Sequence, residues 1–164
     1  MKIPIVNRQD RIIAYKDRDR VEKNDIYRVA ALWVSNERGD ILLARRAWTK
    51  KHNPGMWGPA VAGTVEKGET YRQNIIKEAR EEIGLKSIKP KAGKKEFREQ
   101  EHRYFVQLYH LVENKNISEF KIQKKEVAEI RWWPQQDLVH ALKRTPAQFL
   151  RSISKWREHI KQRR

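Results

Sequence analysis

Apolar and polar positions are sharply segregated at the start of the chain. Ile3, Ile5 and Val6 give way to a polar break at residues 7–10, and Ile12, Ile13 and Ala14 resume beyond it. That spacing predicts a β-hairpin. Residues 15–27 are almost wholly polar and read as a connector. The runs RVAALWVSN (28–36) and ILLARR (41–46) are rich in strand formers and flank the turn sequence Glu37-Arg38-Gly39-Asp40, so they predict a second hairpin. Residues 47–63 hold three glycines and two prolines, the composition of a loop with a short extended piece. At Thr70 the period changes. Tyr71, Ile75, Ala79 and Ile83 recur every fourth residue, and Ile76 widens the stripe, which predicts an amphipathic helix capped by Thr70 and stopped by Gly84. Beyond a basic segment, residues 102–112 and 126–134 read as strands, the second ended by Pro134. Residues 135–144 and 146–162 read as helices, with Pro146 near the start of the latter. This order of strands, helix, strands and helices predicts an α+β fold. It is expected to form one domain over 1–164, with residues 1–27 as hairpin and connector and 145–164 as a basic C-terminal helix.

Composition narrows the chemistry. The 164 residues are 38% apolar, enough for a core, and contain no cysteine, which excludes disulfide scaffolds, thiolate nucleophiles and Cys-ligated metal. No apolar run approaches the roughly 20 residues that cross a bilayer, and the first residues lack the apolar stretch of a secretory signal. A cytoplasmic protein with no membrane partner is expected. Lys and Arg total 37 against 21 Asp and Glu, a net charge of +16. Basic groups cluster at Arg45, Arg46, Lys50 and Lys51, between Lys86 and Arg98, and in the last fourteen residues. Such a surface attracts nucleotides or nucleic acid, and it equally serves solubility.

One stretch runs against this excess. Residues 64–82 carry Glu66, Glu69, Glu78, Glu81 and Glu82. At about 100° per residue, Glu78, Glu81 and Glu82 share one arc of the predicted helix beside its apolar stripe. Carboxylates at i, i+3 and i+4 repel unless a cation sits among them. A hard divalent cation such as Mg²⁺, with Mn²⁺ as its substitute, takes such oxygen ligands and is commonly shared with substrate phosphates. The bland alternative is a solvated face balanced by Lys77 and Arg80. The five histidines show no paired metal spacing.

The segment from Gly63 to Leu85, GTVEKGETYRQNIIKEAREEIGL, resembles the Nudix box: Gly, five residues, Glu, seven residues, then Arg-Glu-aliphatic-x-Glu-Glu-x-Gly-aliphatic. The resemblance implies a Nudix-type mixed β-sheet sandwiched between helices, with a loop–helix–loop motif that binds Mg²⁺ and hydrolyses a diphosphate linkage. It assigns metal binding to Glu78, Glu81, Glu82 and the Ala62 carbonyl. Gly63, Gly68, Glu69 and Gly84 become supports of the loop and helix. Lys77 stands where the family has Arg, so altered packing around the carboxylates is expected there, since Lys lacks the planar fork. The general base varies in the family between a box Glu and a Glu of a later loop. Glu126 is the candidate here, followed by Glu101 and Glu129, with a surface salt bridge as the alternative for each.

The amino-terminal layout is similar to the isopentenyl-diphosphate isomerase branch, whose catalytic cysteine would fall near Val61 and Ala62; without it, hydrolysis is the expectation. Arg45 and Arg46 are candidates for phosphate contact. Trp57, with Trp48, Tyr104 and Phe105, is a candidate for stacking on a base. The expected substrate is a nucleoside diphosphate linked to another moiety. Two alternatives stand beside it: an RNA-binding protein or RNA 5′-end pyrophosphohydrolase, and a catalytically weak nucleotide sensor.

Overall fold

Strand β3 (Ile26–Ser35) organises the rest of the chain in the computed structural model, which describes residues 1–161. Along one edge it runs parallel to β8 (Arg103–Val112), from Ile26 beside Arg103 to Ser35 beside Val112, and β7 (Lys91–Glu99) closes that side antiparallel to β8. The other edge of β3 is shared. β1 (Lys2–Val6) meets it at Ile26, β6 (Val61–Thr64) pairs with residues 29–32, and β4 (Ile41–Arg46) pairs only with Val34 and Ser35. β4 then diverges, carrying β9 (Val127–Trp133) on its far edge and β5 (Trp57–Pro59) on its near one. The β5–β6 segment therefore fills the wedge where β3 and β4 separate, and Ala62 and Gly63 lie in that wedge.

β3 and β4 are apolar on both faces because both faces are covered. Ala30, Leu32, Val34, Leu42 and Ala44 pack beneath helix α1 (Tyr71–Ile83) against Ile75, Ala79 and Ile83. The alternate residues Ala31, Trp33, Ile41 and Leu43 pack on the opposite side with Leu138 of α2 (Gln135–Arg144) and Trp156 of α3 (Trp156–Lys161). The result is the expected α+β arrangement, a mixed sheet between helices. β2 (Ile12–Asp17) pairs with β1 as predicted, around a turn in which Asn7 Oδ1 accepts from the backbone N–H groups of Gln9 and Arg11.

Three expectations need correction. Residues 15–27 are not a featureless connector: β2 extends to Asp17, a 3₁₀ turn covers Arg18–Arg20, and β3 already begins at Ile26. The basic segment before residue 102 contains β7, an edge strand whose lysines point to solvent and so hide the apolar alternation. The 146–162 helix is broken into 3₁₀ turns at Pro146–Gln148 and Arg151–Lys155, followed by the short α3. Its interruption has a tertiary cause. Phe149 is extended and bridges Trp57, and the Leu150 N–H donates to the Trp57 carbonyl, an arrangement no continuous helix allows. Residue 162 and the end of the predicted basic helix lie outside the described residues.

Candidate active site

The site is built where α1 lies across β6. Thr70 and Gln73 form a reciprocal capping box at the start of α1, and Gly84 ends it in the left-handed conformation at φ 73°. Gly63 permits the close approach: a Cβ there would fall 2.6 Å from Glu78 Cγ and 3.0 Å from Asn74 Oδ1. The loop before the helix is held by charge. Gly68, at φ 86°, turns the chain so that Glu69 folds back to accept from the Glu66 N–H, from Asn74 Nδ2 and from Lys77 Nζ. Burial alone would raise the Glu69 pKa, but these donors outweigh it and hold the carboxyl below its ordinary range. Lys77 also reaches Glu66 at 3.0 Å and lies 3.8 Å from Glu78. A single ammonium thus serves three carboxylates, and the box is ordered without the guanidinium fork expected of an arginine.

Further along α1, Glu82 meets a second loop. The Gln123 N–H donates to the Glu82 carbonyl at 2.8 Å and the Lys121 N–H to that of Ile83 at 3.2 Å, docking residues 121–126 against the helix end. This brings Glu126 into the field of Glu82. From β4 and its following loop, Lys50 donates to Glu126 Oε2, and Arg46 faces both Glu126 and Glu82 while bonding the His52 carbonyl at 3.0 Å. Burial, then the negative charges of Glu78 and Glu126, push the Glu82 carboxyl up to about 8, and Lys50 and Arg46 do not compensate. Glu78 is likewise raised, first by burial and then by Glu81, Glu69 and Glu66, despite Lys77.

These are hard oxygen donors whose ionisation is disfavoured by their surroundings, so their chemistry fits a divalent cation. Among the described residues no three Asp, Glu or His side chains already converge as a ligand set, and Glu81 is exposed. Nearby, Asn74 is fully buried, with Oδ1 unpartnered beside Gly63. Sequence reading missed Asn74, although a polar residue bordering the apolar stripe of α1 was a usable signal.

Other expected site residues are placed elsewhere. Arg45 is committed to the framework: Nε donates to the Gly55 carbonyl, NH1 bonds Glu129, and the guanidinium covers Trp48. Trp57 is 4% exposed and packs edge-on against Trp133, so its ring is core and offers no face to a base. Tyr104 stacks on Tyr27, and Phe105 packs against Phe97. Trp48 is 65% exposed. Glu129 is tied to Arg45, and Glu101 lies in the β7–β8 turn.

A model of the NUDIX domain matches residues 26–156. The chain belongs to the Nudix family. An uncharacterized Nudix hydrolase from Yersinia pestis is 26% identical over 156 residues, covering 94% of this chain and 84% of that one. An isopentenyl-diphosphate Delta-isomerase from Escherichia coli is 29% identical over 125 residues, covering 71% of this chain and 66% of the relative. Among solved structures, a Deinococcus radiodurans protein superposes with a TM-score of 0.82 at 19% identity, covering 97% and 99% of the two chains. As a Nudix hydrolase, the chain acts on pyrophosphate bonds. The resemblance to the isomerase branch is matched by a relative of that name, while this Nudix chain has no cysteine at any position. The hairpin of β1 and β2 lies outside the matched segment.

Proposed function

We propose that this Nudix hydrolase cleaves the diphosphate linkage of a nucleoside diphosphate joined to another moiety, with Mg²⁺ as its physiological cation and Mn²⁺ as a substitute. The observation that carries the reading is the docking of residues 121–126 on the end of α1 through the Glu82 and Ile83 carbonyls, which sets Glu126 of a separate loop facing half-buried Glu82 on the helix that also presents Glu78 to Gly63. Glu78, Glu81, Glu82 and the Ala62 carbonyl would hold the cation. When bound, it supplies charge neutralisation at the phosphoryl oxygens and acidifies a coordinated water. Glu126 faces this cluster from a separate loop and accepts the proton of the attacking water. Arg46 and Lys50, from the strand and loop opposite, orient the phosphates; Lys50 is already held by Glu126 and Arg46 by the His52 carbonyl, so binding does not have to order a mobile side chain.

The test is a panel of ADP-ribose, dinucleoside polyphosphates and oxidised nucleoside triphosphates, with product identification in the presence and absence of Mg²⁺. Cation-dependent release of a nucleotide is expected, and Glu82→Gln should abolish it. An unchanged rate in that variant refutes the assignment.

The exposed lysines of the β7 edge, Lys91 and Lys94, favour a second reading in which the diphosphate is the 5′ end of an RNA. Affinity for such a chain should fall steeply with salt; indifference to salt removes it. A nucleotide sensor would instead bind members of the same panel tightly without turnover; the contacts of Lys77 with Glu66 and Glu69 support the hydrolytic reading over it. A cytoplasmic setting suits both nucleotide readings, and among the described residues no helix is long and apolar enough to cross a membrane.

A further inference from the structure

Asn74 lies on the inner face of α1, one helical turn before Glu78, and is 0% exposed. Its neighbours on that face, Ile75, Ala79 and Ile83, are apolar core. An amide in such a place destabilises the fold unless it is bonded. The amino group is bonded twice: Nδ2 donates to the Thr64 carbonyl of β6 at 3.0 Å and to Glu69 Oε2 at 3.0 Å. Both partners accept, so they decide which end of the amide faces them. Oδ1 is thereby turned toward Gly63, where it has no hydrogen-bond partner. A leucine would fill the same space without an open acceptor. Packing therefore does not explain this residue, and what its amino group joins does.

Three elements meet at that group. Lys77 of the helix contacts Glu69 Oε1, while Glu69 Oε2 accepts from the Glu66 N–H of the loop and from Asn74. Asn74 carries the chain of bonds on to the strand at Thr64. That strand is itself held by β3, with Thr64 beside Val29 and Ala62 beside Ala31. Glu78 follows Asn74 by four residues on the same face, and its Cγ approaches Gly63 from the other side of the step. The Asn74–Thr64 bond thus fixes how α1 lies across β6. With it goes the spacing of Glu78 from the Ala62 carbonyl, two proposed cation donors that come from different elements. Both oxygens of Glu69 are used within the network, so this carboxylate braces the site.

We infer that Asn74 is a positioning residue for the hydrolytic site: through Thr64 and Glu69 it holds Glu78 and the Ala62 carbonyl at the spacing a divalent cation requires. This role rests on the hydrolase reading and its cation site. Groups that hold metal ligands from behind change metal affinity by about ten- to a hundredfold when removed.

The experiment compares the full chain with Asn74→Leu, Glu69→Ala and the double variant. It measures Mn²⁺ affinity by calorimetry without substrate, Tm, and kcat and KM separately. Asn74→Leu keeps the volume and removes the open acceptor, so its Tm should stay close to that of the unmodified chain. Its Mn²⁺ affinity should fall about tenfold or more, and kcat should fall while KM changes little, because Arg46 and Lys50 are untouched. The double variant should bind Mn²⁺ about as well as the weaker single variant, since both act through one brace. Should Asn74→Leu fail to fold, Asn74→Ala, which only removes atoms, carries the same expectations. Undiminished Mn²⁺ affinity in a folded Asn74 variant overturns the positioning role and leaves the hydrolase reading standing. Losses that multiply in the double variant overturn the brace through Glu69. If the unmodified chain binds no Mn²⁺, the cation site fails and the role of Asn74 falls with it.

Discussion

Lys77 Nζ lies 2.5 Å from Glu69 Oε1, and that pair joins the middle of α1 to the loop that precedes it. The ammonium is one-quarter exposed and reaches Glu66 as well, so two acids of the loop are neutralised by one residue of the helix. Burial would lower the Lys77 pKa, but both carboxylates overcome it and hold the side chain charged.

Lys77→Met should therefore leave Glu66 and Glu69 uncompensated, costing about 1–2 kcal/mol in chemical denaturation, a figure kept low because the pair is partly solvated. Lys77→Arg should recover most of the stability. If activity falls with Met and returns with Arg, the contact orders the loop. Equal stability of all three proteins would show that it does not.

Gly63 offers a cleaner steric test. A methyl group there would sit 2.6 Å from Glu78 Cγ, so Gly63→Ala should force α1 away from β6 or turn the Glu78 side chain aside. Overpacking of this kind costs about 1–3 kcal/mol. The expected signature is a loss of turnover larger than the loss of nucleotide affinity, measured as kcat against KM, because the displaced group is a carboxylate of the proposed cation site.

Much of this site was legible in the sequence because its signals are local. The period of Tyr71, Ile75, Ala79 and Ile83 and the caps at Thr70 and Gly84 belong to a single helix, and the structure reproduces them. The failures were non-local. β7 is an edge strand rich in lysine, and only its pairing with β8 makes it a strand. Phe149 is held extended by Trp57, ninety-two positions earlier, which no helical period could announce. Arg45 and Trp57 looked available for substrate because their partners, Gly55, Glu129 and Trp133, are brought to them by the β4–β5 and β4–β9 pairings.

The elevated Glu82 pKa gives a pH dependence with a definite sign. Burial and the neighbouring acids raise it to about 8 from an ordinary 4.5, so the cation-free folded chain holds a proton that the unfolded chain has lost. That contribution is intact below about pH 4.5 and is lost as pH rises through about 8. Without divalent cation, stability should decline over this window, and Mn²⁺ or Mg²⁺ should raise the Tm more at about pH 8.5 than at about pH 6, where the proton competes. In Glu82→Gln both trends should flatten. A cation-induced shift that is the same at both pH values would mean that Glu82 is not a ligand.

At the other end of α1, Asp10 gives the last expectation. It occupies the turn of the amino-terminal hairpin, where its carboxylate accepts from Arg28 of β3 at 2.7 Å, from the Tyr71 hydroxyl at 2.9 Å and from Lys95 of β7 at 2.7 Å. Burial opposes its ionisation, but the donors outweigh burial and keep the carboxyl below its ordinary 3.8. Its stabilising contribution is thus present above about pH 3.8 and lost as pH falls through the lower folded-state value. Asp10→Ala leaves Arg28 Nε and the Tyr71 hydroxyl without their carboxylate acceptor, Arg28 keeping only the residue-10 backbone carbonyl, a loss of about 2–3 kcal/mol. Because the hairpin reaches α1 through Tyr71, the first residue of the helix, amide exchange should accelerate in the first turn of α1 before it does so in β4 or β9. Uniform acceleration across the chain would instead assign Asp10 to global stability and deny the hairpin a specific hold on the helix.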